Sequence, residues 1–306
     1  MDGILNINKP AGKTSYDVVA VVKRLSRVRR VGHAGTLDPA ATGVLPVCLG
    51  QGTRVIEFLA DAAKTYRAEI ELGTITDTYD AAGTVIEKRD ASDITLEKVE
   101  AALGQFRGLI QQTPPMYSAV KHQGKPLYEL ARAGITIERK SRPARIDSIE
   151  ILDWQPPVVT IKVECGKGTY IRSLAYDLGQ ALGCGGTLKS LVRLSYGPFD
   201  IKDAISLPRI EEAFRHGYWT HYVYAIDAVL LHWNAMIVGE EKERKIANGV
   251  PVPSTANLSQ TGDSTRARVY TLDGGFLSVL QFDPEKDQWQ TNKVFPGSNP
   301  GASLPK

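Results

Sequence analysis

Cysteine is scarce in this 306-residue chain: Cys48, Cys165 and Cys184 are the whole complement, and none belongs to a CxxC pair. A set so small and odd excludes a disulfide framework and a thiolate zinc site. The three read as small apolar residues of a reduced interior. Histidine is nearly as thin, with five residues and no HExxH or other ligand spacing, so no metal is expected. No apolar run approaches the roughly 18 residues of a membrane-spanning helix. The start, MDGILNINKP, carries an acid where a secretory signal has a basic region. A cytoplasmic protein with no membrane partner is the expectation. Nucleotide motifs are missing as well. Gly12-Lys13-Thr14 ends like a phosphate loop, but Ile7 stands where that loop needs its first glycine. Gly166-Lys167 is followed by Gly168 where Ser or Thr is required, and neither GxGxxG nor GxSxG occurs. No cofactor is expected.

What is present is an ordinary globular balance, 42% hydrophobic and 23% charged residues, in a length that suits about two domains. The net charge of +3 says little, but its distribution is uneven. Lys23, Arg24, Arg27, Arg29 and Arg30 crowd one window without an acid. Lys121, Lys125, Arg132, Arg139, Lys140, Arg142 and Arg145 face only Glu129 and Glu138 in a second. Either cluster alone would fit a solvated face; two of them point to a polyanion partner.

Periodicity gives a coarse map. Ile4–Ile7 reads as a strand that enters a Pro/Gly turn, and Thr14 or Ser15 caps a helix over 16–26, with Val18, Val19, Val22 and Leu25 on one face. Apolar 44–49 and a short helical stretch near 53–59 follow the loop at 32–43. Thr65–Leu72 alternates like a half-buried strand, with Thr84–Glu87 as its expected partner. A helix capped by Thr95 is expected over 95–106, strands over 145–152 and 158–163, and a helix over 170–182 closed by Gly183. Residues 113–145, with Pro114-Pro115 and Pro143, look like a basic insertion projecting from the core. The elements keep no βαβ beat, so the fold class is α+β with a mixed sheet. From residue 233 a short charged helix (240–247) precedes a hairpin (267–272 and 276–282, turning at Asp273-Gly274), with eight basic and eight acidic residues in all. This suggests a small β domain over 233–306, behind a main domain of 1–232, and a frayed Pro/Gly/Ser-rich tail over the last ten residues.

The most informative segment is VGHAGTLDPAATGVLPVCLGQGTRV, which sets His33, Thr36 and Asp38 in a loop of small residues bounded by Gly32, Gly35 and Gly43. Such a loop lets a ligand approach the backbone closely, and Pro39 holds Asp38 out of helical conformation. Spacing alone also fits an Asp-Pro turn with a solvated carboxylate. The segment closely resembles the catalytic motif of the TruB family of bacterial tRNA pseudouridine synthases. NKPAGKTS, KTYRAEIELG, TPPMYSAVKHQGKPLYELARAG and CGKGTYIRSLAYDLG resemble further blocks of that family, in its order, across most of residues 4–195.

The resemblance implies a mainly antiparallel sheet flanked by helices, a thumb at 113–145 that closes over RNA, and a PUA-like C-terminal domain. It implies isomerisation of uridine 55 in the TΨC loop of tRNA, without cofactor or metal, by a monomer with no obligate protein partner. By the same resemblance Asp38 is the catalytic carboxylate, Tyr66 the ring that stacks on the target base and takes part in proton transfer, and Arg172 the partner of the carboxylate. Tyr170 and Leu191 line the pocket, His33 helps to hold the flipped loop, and Lys9 with Pro10 lies near the site. A related synthase with another RNA target, and a non-catalytic tRNA-folding chaperone, are the alternatives.

Overall fold

The computed structural model describes residues 1–254 and 263–297; most of the expected tail lies outside these residues. The first part of the chain runs β1 (Gly3–Lys9), α1 (Ser15–Ser26), β2 (Val31–His33), β3 (Thr42–Leu49), α2 (Ile56–Ala60), β4 (Lys64–Leu72), β5 (Thr74–Thr76), β6 (Val85–Lys88), α3 (Leu96–Gly104) and β7 (Gly108–Gln112). It continues through β8 (Lys121–His122), β9 (Lys125–Pro126), α4 (Leu127–Arg132), β10 (Arg142–Gln155), β11 (Val158–Cys165), α5 (Ile171–Ala181), β12 (Gly186–Tyr196), β13 (Phe199–Asp200), β14 (Ile205–Ser206), α6 (Leu207–His216) and β15 (Val223–Tyr224). Beyond it lie β16 (Trp233–Ile237), α7 (Glu240–Ala247), β17 (Val252–Pro253), β18 (Asp263–Tyr270), β19 (Phe276–Asp283) and β20 (Gln288–Val294).

One sheet organises the first part, in the order β14-β1-β3-β12-β4-β11-β10-β7. Its pairings are antiparallel except β1 with β14 and β3 with β12. The protein is therefore α+β with a mixed, mainly antiparallel sheet, as the unbroken run of non-βαβ elements implied. Helix α1 forms where expected. Thr14 accepts from the Asp17 N–H while Asp17 accepts from the Thr14 N–H, a reciprocal capping box, and Val18, Val19 and Val22 are buried against Leu5, Ile7 and Leu45 of the sheet. Thr95 likewise caps α3.

One expected pairing is corrected. Residues 85–88 pair with Thr74–Thr76 in a separate two-stranded ribbon, and β4 is flanked by β11 and β12 instead. Strand β6 is exposed along its length, so no apolar face drives it onto the main sheet. The pairing that wins joins Lys64–Leu72 to Gly186–Tyr196, more than a hundred residues away.

Helix α5 covers this seam, burying Ile171, Leu174, Ala175 and Leu178 in the core that also holds Tyr66, Ala68 and Ile70. It lies so close to β12 that a Cβ on Gly179 would stand 2.0 Å from the Gly186 nitrogen; only glycine permits the approach. The second sheet, β16-β18-β19-β20-β17, packs against α2: Phe58 meets Trp233 edge-on at 5.1 Å, and Val55 and Leu59 share a core with Phe276, Val279 and Phe295. Arg54 donates to the Val294 carbonyl, and Lys293 pairs with Glu57. No helix among the described residues is long and apolar enough to cross a membrane.

Candidate active site

Asp38 sits between β2 and β3 on a backbone held at each step. The Ala34 N–H donates to the Pro46 carbonyl (3.0 Å). At the start of α1 the Ser15 hydroxyl accepts from the Leu37 N–H (2.9 Å) and donates to the Leu37 carbonyl (3.2 Å). The Ala41 N–H closes a turn onto the Asp38 carbonyl (3.1 Å), with Pro39 in the second position that its fixed φ favours. The Pro39 carbonyl accepts from the Gly12 N–H (2.9 Å) and from the Lys9 ammonium (3.1 Å), which also donates to the carbonyls of Pro10 (2.9 Å) and Lys13 (2.6 Å). Lys9 is fully buried beneath the loop, and its charge is spent on these three carbonyls. Burial brings it down to about 8, with Asp38 pulling it up and Arg193 pushing it further down.

Arg172 reaches this loop from the first turn of α5. Its Nε lies 3.0 Å from Asp38 Oδ2 and its Nη2 donates to Oδ1 at 3.1 Å, a two-point fork. The Arg172 side chain is 7% exposed while that of Asp38 is 39% exposed, so the carboxylate is gripped from inside and open outside. Arg172 Nη1 lies 3.5 Å from Asp80 Oδ2, and Nη2 also donates to the Tyr117 carbonyl (2.9 Å). Burial raises the Asp38 carboxyl above its ordinary range; Arg172 and Lys9 oppose the rise and Asp80 adds to it.

The remaining predicted residues fall around this pair. Tyr66, on β4, is buried and packs in the same apolar cluster as Leu37, and Leu191 of β12 lies half-buried against that cluster. Burial raises the Tyr66 phenol, and the positive charge of Arg193 draws it part of the way back. Tyr170 precedes α5, its backbone tied to the Gln112 side chain by bonds of 3.0 and 3.1 Å. Burial raises its phenol, and the neighbouring Ser118 hydroxyl and Arg172 oppose the rise. His33 ends β2, half-buried with Nδ1 unpartnered; burial first, then Arg193, keep it below its ordinary value. Asp38 and Arg172 are thus paired, Tyr66 and Leu191 share the apolar cluster that takes in Leu37 beside Asp38, Tyr170 precedes Arg172 by two residues, His33 stands at the start of the loop, and Lys9 lies beneath it.

Two residues of this constellation escape sequence reasoning. Asp80 lies in TDTYDAAG among polar turn residues, and only the tertiary fold carries it to Arg172. Arg193 interrupts the apolar pattern of SLVRLSY; a cation in an otherwise core-like strand was the available signal. It is fully buried, donating from Nε to the Val44 carbonyl (2.6 Å) and from Nη2 to the Gly35 carbonyl (3.0 Å).

Comparison with known proteins gives a consistent pattern. Residues 23–171 match the TruB family pseudouridylate synthase N-terminal domain, and residues 172–236 match the tRNA pseudouridylate synthase B C-terminal domain. The boundary between these matches falls just inside α5, within one continuous sheet. The chain is similar to the tRNA pseudouridine synthase B of Dehalococcoides mccartyi (strain ATCC BAA-2100), 46% identical over 98% of both chains. It is also similar to that of Clostridium kluyveri, 44% identical over 91% of this chain and 95% of the relative. Among solved structures, a Cbf5-Nop10-Gar1 complex matches with a TM-score of 0.73 at 25% identity, over 95% of this chain and 84% of that one. An H/ACA RNP bound to a substrate RNA containing 2′-deoxyuridine shares the fold at a TM-score of 0.74 and 23% identity, over 97% and 86% of the two chains.

Proposed function

The chain belongs to the TruB family of pseudouridylate synthases, and on that premise we propose that it isomerises uridine 55 in the TΨC loop of tRNA with Asp38 as nucleophile. The observation that carries this reading is the Asp38–Arg172 fork, buried on the arginine side and open on the carboxylate side, next to Tyr66.

A uracil inside a folded RNA loop must leave its stack before the glycosidic bond can be reached. The extrusion costs a few kcal/mol, partly offset when the base stacks on an aromatic ring. Tyr66 serves as that ring, with Leu191 beside it; His33 holds the opened loop, and Tyr170 bounds the pocket. The Asp38 carboxylate attacks C1′ of the ribose or C6 of the base, and Arg172 keeps it charged and aimed. The bond to N1 breaks, the uracil turns, C5 bonds to C1′, and a base removes the C5 proton. All atoms of the substrate are retained in the product, so the reaction needs no group donor.

The segment 113–145 acts as a thumb. Lys121, Lys125, Arg132, Lys140, Arg142 and Arg145 are exposed on it, and phosphate contacts from such residues position RNA without reading its sequence. Its root touches the chemistry directly, through the Tyr117 carbonyl on Arg172. The β domain from Trp233 onward, electrically balanced and packed against α2, is assigned a PUA-like supporting contact with the same tRNA. The protein works as a monomer.

Incubation with unmodified tRNA, followed by mass-spectrometric or primer-extension mapping of pseudouridine, tests the proposal. Product at the TΨC uridine is expected. Product at another position would make the chain a synthase with a different target, and binding without product would make it a chaperone.

A further inference from the structure

We propose that Tyr79 is a positioning residue of the isomerisation: its ring, stacked on Tyr176, clamps the turn at 77–84 onto α5 and so fixes where Asp80 stands against Arg172. The inference rests on the function proposed above.

Tyr79 has an uncommon backbone. Its φ is +63°, in the left-handed region that a residue with a bulky side chain seldom enters, because the Cβ crowds the chain there. Glycine would occupy the position at lower cost. The surroundings hold the conformation on each side. The Tyr79 N–H donates to the Thr76 carbonyl (3.3 Å), and the Tyr79 carbonyl accepts from the Leu188 N–H of β12 (3.0 Å). The Ala81 N–H donates to the Leu188 carbonyl (2.9 Å), so the turn straddles one residue of the central seam. Rare conformations of this kind persist where the surrounding structure over-determines them, and they gather at functional sites.

The Tyr79 ring meets the helix that carries Arg172. The rings of Tyr79 and Tyr176 lie 4.1 Å apart and 18° from parallel. Tyr176 follows Arg172 by four residues on α5, one turn along the same face. Tyr79 and Asp80 are adjacent in the turn, and Asp80 Oδ2 stands 3.5 Å from Arg172 Nη1. Two neighbouring residues of the turn thus meet two successive steps of one helix face, one through a ring and one through a charge.

The charge contact fixes little geometry by itself, because its separation is too long for a strong charge-assisted hydrogen bond. The rest of Asp80 is engaged inside the turn. Its Oδ1 accepts from the Thr78 hydroxyl (2.7 Å) and from the Ala82 N–H (3.1 Å), and its carbonyl accepts from the Thr76 hydroxyl (2.8 Å). The carboxylate therefore moves with the turn as a unit, and the stack docks that unit on α5. Arg172 forks Asp38 through Nε and Nη2 (3.0 and 3.1 Å), which leaves Nη1 to Asp80. A turn that slips along the helix shifts the counter-charge at Nη1, and with it the aim of the fork.

The test measures single-turnover pseudouridine formation against pH, together with tRNA affinity, for wild type, Tyr79→Phe, Tyr79→Asn, Asp80→Asn and the Tyr79→Asn/Asp80→Asn double variant. Asparagine suits the left-handed backbone but has no ring to stack. Tyr79→Asn should lower the rate about 10-fold with affinity nearly unchanged, within the range that a small misplacement of a catalytic pair produces. Tyr79→Phe keeps the stack and should recover most of that loss. The groups facing the Asp38 carboxyl are Arg172 from α5 and Lys9 from β1, which lower it, and Asp80, which raises it. A displaced Asp80 should move the acid limb of the rate profile to lower pH in Tyr79→Asn, as in Asp80→Asn. The double variant should be no slower than Asp80→Asn, because both changes act through one carboxylate. A wild-type rate and acid limb in Tyr79→Asn would overturn the proposal. So would a loss with the acid limb in place, a loss that adds to that of Asp80→Asn, or a Tyr79→Phe as slow as Tyr79→Asn. If Tyr79→Asn does not fold, Tyr176→Leu, which removes the other ring, is judged by the same criteria. Each of these results, with a wild type that makes pseudouridine, overturns this inference alone; a wild type that makes none overturns the function and the inference with it.

Discussion

The loop that carries Asp38 and the basic segment proposed as a thumb, which carries a cluster of exposed cations, are built in opposite ways. Residues 34–41 are fixed by bonds to Ser15, Gly12, Lys9, Pro46 and their own turn, over strands buried on both faces. Residues 113–141 consist of a two-residue hairpin, a six-residue helix and coil, anchored by a few buried groups such as Met116, Ser118 and Leu127. The first region presents a carboxylate in one orientation; the second presents charge with little buried apolar area to hold it still, the composition of an element that moves at low cost. The lesson is a division of labour: rate should depend on the loop and its arginine, affinity on the thumb. The two meet at the Tyr117 carbonyl on Arg172.

Arg172 is where the largest change is expected. Arg172→Met removes the fork and leaves Asp38 and Asp80 facing each other without a cation. Single-turnover rate should fall about 10³-fold or more while tRNA affinity stays within a few-fold, an effect confined to the transition state. Equal losses in rate and affinity would erase the division. Asp80→Asn is milder. With the arginine held at one fewer point, kcat should drop about 10-fold, in the range for a second partner of an active-site group.

The same variant carries a pH signature. In the proposed mechanism Asp38 attacks in its ionised form, and its carboxyl lies above its ordinary range, so activity should fall on acidification before a free aspartate would titrate. Asp80 contributes to that rise, so Asp80→Asn should move the acid limb of the rate profile to lower pH. A limb that stays in place would remove Asp80 from the electrostatics of the site. The smallest effects belong to the thumb. Lys121→Ser and Lys125→Ser should each weaken tRNA binding a few-fold and reduce the slope of log affinity against log salt by about 1, leaving single-turnover rate unchanged. A salt response that does not change would show that these cations contact no phosphate.

The parts of the molecule that sequence made legible are those with local signals. Thr14 and Asp17 announce the start of α1, the valines at 18, 19 and 22 its buried face, and the alternation of TYRAEIEL a strand found at Lys64–Leu72. Strand β12 went unassigned. Lys189 and Arg193 break its apolar pattern, and two register shifts against β4 show that it is not regular. Since β12 joins β3 to β4, missing it also sent residues 84–87 to the wrong partner. The Asp38–Arg172 pair was legible only through motif resemblance, because 134 residues separate the two side chains. Asp80 and Arg193 owe their places to long-range pairing, which no local pattern encodes.

The central claim is that the carboxylate of Asp38 performs the chemistry within a prebuilt loop. Asp38→Asn keeps the side-chain volume and one acceptor oxygen for Arg172 but removes the nucleophile. Mass-spectrometric counting of pseudouridine in unmodified tRNA, alongside a filter-binding measurement of affinity, tests this most directly. The account predicts wild-type binding with no detectable product; appreciable turnover by Asp38→Asn would contradict it.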